Sequence, residues 1–321
     1  MNILENLYVV ESSTDLLILK LGLFVSLIFA LSFLALLFGS TLFSLVHYSK
    51  AKANNDNSLF AYSKFVSGLV TKMWFRMLFG VLPMFASIFF FTQLYAEKIP
   101  TAAGNLLLAF ILFMLGLCSA VFYKTLFSSD NISEITNTFP SKIGWLSIVF
   151  TSLSGFILIS YLQLPIANGN DSFFAILFSS NSLLYFMLFI SLSFGSTAAV
   201  VVAKLNRNTE KSYSKYARNF SAQTGMIFSF LHPLLFTLIV LSVPQSGLSF
   251  LYFGIAAVVL LLMLVSSIQF YYSLKNSTTR STSIVFVFVL LLSMLIFSIE
   301  STNEMSVKKE LIQENTIGLF S

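Results

Sequence analysis

"LGLFVSLIFALSFLALLFGSTLFSLVH", residues 21–47, contains no Asp, Glu, Lys or Arg. Coiled as an α-helix at about 1.5 Å per residue it measures ~40 Å, more than enough to cross a hydrocarbon layer of about 30 Å. Seven further apolar runs follow, at approximately 77–96, 99–123, 143–164, 172–203, 219–243, 248–274 and 281–299. The 321-residue chain is 57% hydrophobic and only 10% charged, a composition that excludes a water-soluble domain of this length. The expected fold is all-α: a polytopic membrane helix bundle with about eight transmembrane helices, forming one domain over residues 1–300 and ending in a polar tail, 301–321.

Lys and Arg resist translocation, whereas Asp and Glu contribute little to orientation. Fourteen of the eighteen basic residues fall in the loops after spans 1, 3, 5 and 7, and the opposite side holds only Lys20, Lys98, Lys308 and Lys309. This asymmetry predicts an inner (cytoplasmic) membrane protein with both termini on the outer side. The acidic start, "MNILENLYVVESSTDLLILK", lacks a basic n-region, so no cleavable signal is expected. The lone cysteine, Cys118, excludes an intrachain disulfide, CxxC and a CxxCH haem attachment site, and reads as a small buried hydrophobe.

Outer connections are short, leaving no room for a folded domain there. The longer inner segment 48–76 places Phe60, Phe65, Leu69 and Met73 at helical spacing among lysines, which predicts an amphipathic helix along the membrane surface or a solvated basic loop. Small residues cluster as "GSTLFS" in span 1, "SLSG" in span 4 and "SLSFGSTAA" in span 5, the pattern that lets helix backbones approach closely in lipid. Pro83, Pro165, Pro233 and Pro244 should kink or end spans. There is no internal repeat of the kind that builds transporters from inverted halves.

None of the eight spans contains an ionisable Asp, Glu, Lys or Arg, which disfavours a proton-coupled pump. No Walker A loop, HExxH, GxSxG or Gly-rich dinucleotide turn is present. The two histidines remain. His47 ends span 1 at the inner edge and His232 lies about a dozen residues into span 6, roughly 20 Å along the helix, so they do not share one haem. His47 reads as an interfacial residue. His232, followed by Pro233, is the candidate cofactor-binding residue, as a haem ligand alone or with a methionine. The competing reading gives it a hydrogen bond to a neighbouring helix, and the carbonyl of Ser229 that Pro233 leaves without a donor is to be answered by an imidazole N–H or a nearby Ser or Thr hydroxyl across the helix interface. No catalytic residue and no metal site is identified.

Within the first 76 residues, the stretch "LGLFVSLIFALSFLALLFGSTLFSLVHYSKAKANNDNSLFAYSKFVSGLVTKMWFR" resembles the first helix and following loop of cytochrome bd-type quinol oxidase subunit I. "WLSIVFTSLSGFILISYLQLP" is similar to that family's fourth helix, "SFFAILFSSNSLLYFMLFISLSFGSTAAVVVAKLNR" to its fifth, and "KKELIQENTIGLFS" to the segment after its last. The similarity is one of pattern and topology over about two thirds of the chain. The departures concern the haems. Where haem-binding members carry a histidine early in the fifth helix this chain offers Tyr185 or its neighbours. Where they carry one near the outer end of the first helix it has "DLLILK", and the quinol-binding loop is reduced to "VPQSG".

The resemblance implies a membrane subunit or scaffold of a quinol-linked respiratory electron-transfer assembly, without the oxygen-reducing haems. Its implied partners are membrane lipids and another respiratory subunit, such as an outer-facing c-type cytochrome, and no nucleic acid. Haem b and quinone both stay open as cofactors. The alternatives are a channel or transporter for a neutral or apolar solute and, third, a b-haem-binding oxidoreductase using His232.

Overall fold

A computed structural model describes residues 13–95, 102–127, 139–162, 173–205, 213–243, 248–275 and 282–318. Among these the chain is an all-α membrane bundle, with no strand. Helix α1 spans Ser13–Asn54 and α2 spans Asn57–Ser67. A continuous rod then runs through α3 (Met73–Arg76), a π-helical turn (Met77–Val81) and α4 (Leu82–Tyr95). There follow α5 (Ala102–Thr125), α6 (Phe139–Leu162), the short α7 (Phe173–Leu177), α8 (Ser180–Leu205), α9 (Ser214–Ser242), α10 (Phe250–Lys275) and α11 (Thr282–Gly318).

Seven of these helical segments are long and apolar enough to cross a membrane, one fewer than the eight runs in the sequence. The eighth run is the apolar stretch Ser283–Ile299, shorter than the others. It continues into the polar residues after it as one unbroken helix, so the described part of the C-terminal tail is an extension of α11. The fifth span also differs from expectation, because it breaks between α7 and α8. Ser179 causes the restart: its Oγ accepts from the backbone N–H of Ser182 at 3.2 Å, an N-cap, while Ser182 Oγ reaches back to the Ile176 carbonyl at 2.9 Å.

Pro83 explains the π-helical turn. Its ring removes one backbone donor and crowds the preceding turn, and widening residues 77–81 relieves that clash. Pro233 lies inside α9, whose helical assignment continues past it. The cross-helix donor that reaches this turn is Ser191 Oγ, on the Phe228 carbonyl at 3.5 Å, one carbonyl earlier than the Ser229 group expected to need it.

Lipid tails are as apolar as leucine, so helices in a bilayer are held by close packing rather than by exclusion from water. The small-residue clusters supply that packing. A Cβ on Gly39 of α1 would collide with the Thr197 side chain and the Ser193 carbonyl of α8. A Cβ on Gly116 of α5 would meet Thr151 Cγ2 of α6 at 2.6 Å, and the same pair of helices is stitched by Ser147 Oγ to the Gly116 carbonyl and Ser154 Oγ to the Ala109 carbonyl, both at 2.8 Å. α1 is consequently the central pillar, touching α2, α4, α6, α8 and α11, with Leu34, Ala35 and Leu37 fully buried. α9 and α10 keep most of their apolar surface outward.

The segment between the first two spans is helical as expected in part, and its apolar face packs against the bundle. α1 overshoots to Asn54, and Asn55 turns the chain with a left-handed φ of 49°. Asp56 then caps α2 by accepting from Ser58 N at 2.7 Å and Leu59 N at 3.2 Å. The capped helix folds back on the bundle, burying Phe60, Tyr62, Ser63 and Val66, while Met73 remains 66% exposed at the start of α3. Cys118 also departs from its reading, since it is exposed on the outer face of α5.

Gly39→Val should force α1 and α8 apart and cost about 1–3 kcal/mol, as overpacking does in tight cores. Gly104→Ala, at a helical glycine whose added Cβ would meet nothing within 4 Å, is the control and should unfold no earlier than the wild type and up to about 1 kcal/mol later. Equal unfolding midpoints in detergent for the two variants would mean that the α1–α8 contact does not hold the bundle.

Candidate functional site

A cluster of buried polar groups lies at the C-terminal end of α1, where α2, α5 and α9 converge. His47, expected at the interface, is fully buried there. Its Nδ1 is 2.7 Å from the Phe43 carbonyl one turn back in its own helix. A carbonyl only accepts, so Nδ1 carries the proton, which leaves Nε2 to accept from the Tyr216 hydroxyl of α9 at 3.2 Å. Tyr62 and Phe220 pack edge-on against the imidazole, each with ring centroids 4.6 Å away.

Two further links tie the same helices. Tyr62 OH and Ser221 Oγ are 3.0 Å apart, joining α2 to α9. Burial pushes the Tyr62 phenol well above its ordinary range, only partly opposed by the bond to Ser221, so it stays neutral. Ser63 Oγ donates to the Ser44 carbonyl at 2.8 Å, and Ser44 Oγ lies 3.1 Å from Tyr123 OH, joining α2 through α1 to α5. This cluster explains why the segment after α1 packs onto the bundle: its polar side chains find partners there. Sequence reading missed it because Tyr62, Ser63, Tyr123 and Tyr216 are scattered over 154 positions of chain, with only the Tyr62–Ser63 pair adjacent.

His232 sits elsewhere, about 18 Å further along α9 than Phe220. It is fully buried, yet neither ring nitrogen makes a hydrogen bond. The Ser191 backbone faces the imidazole without adequate hydrogen-bond geometry. Phe288 of α11 crosses the ring edge-on at 6.1 Å, and a Cβ on Gly195 would stand 3.1 Å from His232 Cε1 and 2.7 Å from Phe288. The expected cross-helix bond of His232 is therefore not formed.

A bd-type haem needs an available imidazole nitrogen and room for a macrocycle. His47 offers neither, because both nitrogens are engaged. His232 offers nitrogens but no room at its ring, because the gap that Gly195 leaves is filled by Phe288. The residues around both histidines do not fit the group. Tyr185 lines a small apolar cavity of about 50 Å³ between α1, α6, α8 and α11. The described residues contain no group of three or more His, Cys, Asp or Glu that could hold a metal ion.

With this geometry in place, the helix arrangement can be set beside known proteins. The chain is similar in structure to a chain of the bd oxidase from Geobacillus thermodenitrificans, with a TM-score of 0.59 and 12% sequence identity, covering 90% of this chain and 86% of that one. No family model and no curated protein sequence matches. The protein therefore has a bd-oxidase-like fold, the class that the helix pattern suggested, and at this identity the likeness concerns the fold alone.

Two outcomes follow for the histidines. Combining His47→Phe with Tyr216→Phe in a double-mutant cycle should give a coupling of about 0.6 kcal/mol, and no more than about 1.7, the range for hydrogen bonds inside membranes; a coupling of zero would remove His47 from the lock. His232→Leu deletes a buried polar ring that has no hydrogen-bond partner, so it should unfold no earlier than the wild type and as much as ~1 kcal/mol later. A haem ligand behaves otherwise: a b-type spectrum present in the wild type and lost in both His232→Leu and His232→Gln would establish ligation.

Proposed function

We propose that the protein is a membrane subunit or scaffold of a quinol-linked respiratory electron-transfer assembly, resembling cytochrome bd subunit I in its helix arrangement, with the redox centres held by its partners. The observation that carries this reading is the bd-oxidase-like course of the backbone over 90% of the chain. The environments of His47 and His232 support the assignment of haems to partners, since one imidazole is hydrogen-bonded at both nitrogens and the other is walled in by Phe288. In this reading the chain lies in the inner membrane with both termini outside, and an outer-facing c-type cytochrome is the partner that suits its short outer connections.

Purification from membranes in mild detergent tests the association and the orientation together, using a tag placed after Ser321. The tag should be reachable from the outer side of intact cells, and at least one haem-containing subunit should elute with the chain. A redox difference spectrum of the complex should lose its b- and c-type bands when the chain is stripped to homogeneity. A solitary monomer that moves a neutral solute into liposomes would replace this reading with a channel or transporter.

A further inference from the structure

Both α1 and α10 pack against α11, and between the N-terminal end of α1 and the start of α10 they leave a groove of about 810 Å³, floored by α11. This volume is in the upper part of the range that holds small-molecule ligands, about 300–1,000 Å³. Its walls are apolar, with Leu21 and Phe24 on one side and Leu251 and Val258 on the other, and its lining is closed by Lys20, Ser293 and Ser301.

Two features set it apart from an ordinary lipid-facing surface. The first is Lys20. Every other lysine or arginine whose side chain is described lies toward the opposite ends of the spans, and a lysine at this end runs against the charge bias that orients the chain. Its long stem lets the ammonium sit at headgroup depth beside an apolar cleft. That ammonium carries three donors, so a phosphodiester can join it beside the interaction it already makes.

The second feature is Gly254. A glycine inside a helix costs roughly 1 kcal/mol against alanine, and in membrane helices the usual return is close approach of a neighbouring backbone or side chain. Gly39, Gly116, Gly195 and Gly225 all follow that rule, because an added Cβ would meet the next helix. At Gly254 it would meet nothing within 4 Å, and the open space is this groove.

We infer that the groove is a binding site for one anionic phospholipid of the leaflet on the N-terminal side of α1, with acyl chains lying along α10 over Gly254 and the phosphate on Lys20. A long isoprenoid ligand would suit the walls equally but gives Lys20 no anion to meet, so charge complementarity selects the phospholipid.

The experiment uses the full chain, delipidated in detergent and read by native mass spectrometry after exchange with mixed vesicles of phosphatidylglycerol and phosphatidylcholine. The wild type should retain one phosphatidylglycerol molecule. Lys20→Gln should lower the preference for the anionic lipid roughly fivefold, the effect of one lysine at a membrane surface. Gly254→Leu, which grows into open space and so keeps the fold, should abolish retention of either lipid. Gly104→Leu, at the other open glycine, should leave retention unchanged. Failure of the wild type to retain lipid, unaltered retention in Gly254→Leu, or recovery of an isoprenoid quinone in place of the phospholipid would each overturn the assignment.

Discussion

Everything in this bundle depends on how closely α1 and α8 approach at Gly39. With no side chain there, the backbone of α1 rests on Ser193 and Thr197, and dispersion forces that are individually small act over the whole length of two helices. α6 joins the same unit at Gly155, where an added Cβ would stand 3.0 Å from Phe189 of α8 and 3.4 Å from Leu34 of α1. α5 is in turn fastened to α6 by close approach at Gly116 and by two serine-to-carbonyl bonds, onto Gly116 and Ala109. The remaining helices need only one packed face, which is why α9 and α10 turn so much apolar surface outward.

The sequence disclosed this part well. Length and the absence of charge define the spans, and clusters such as "GSTLFS" and "SLSFGSTAA" mark the faces that meet. What it concealed were the features that need two distant segments at once. His47 looks interfacial when only the neighbouring "YSK" is considered, and it becomes a core residue because Tyr62, Tyr216 and Phe220 surround it. The amphipathic pattern of residues 60–73 is real, but a pattern does not say whether an apolar face meets lipid or protein. The left-handed Asn55 and the Asp56 cap settle that by folding α2 inward. Cys118 shows the reverse error: small hydrophobes are buried in water-soluble proteins, yet in a membrane the outward face of α5 is equally apolar.

The candidate site was only half legible for a related reason. His232 stood out as one of two histidines beside a proline, and its burial was foreseeable from its position in a span. The donor that serves the Pro233 turn is a serine hydroxyl, one of the two expected kinds, but it comes from Ser191 to the Phe228 carbonyl and the imidazole is left unpartnered. A one-residue shift between neighbouring helices decides that outcome, and spacing along a single chain carries no information about it.

The serine-rich interior bears on what the protein does. A pathway for a polar solute needs successive hydroxyls turned toward a common channel, but here Ser26, Ser40, Thr41, Ser193 and Ser266 donate to carbonyls three or four residues earlier in their own helices. Hydroxyls used this way present mainly their small size to the neighbouring helix, which suits close packing and offers a passing solute little. Where hydroxyls do cross between helices they fasten one helix to the next, as from Ser147 and Ser154 of α6 to carbonyls of α5, and from Ser63 to Ser44 and Tyr62 to Ser221, which fix α2 to the bundle. Polar groups spent on joining helices rather than on lining a passage make the bundle rigid where they cross.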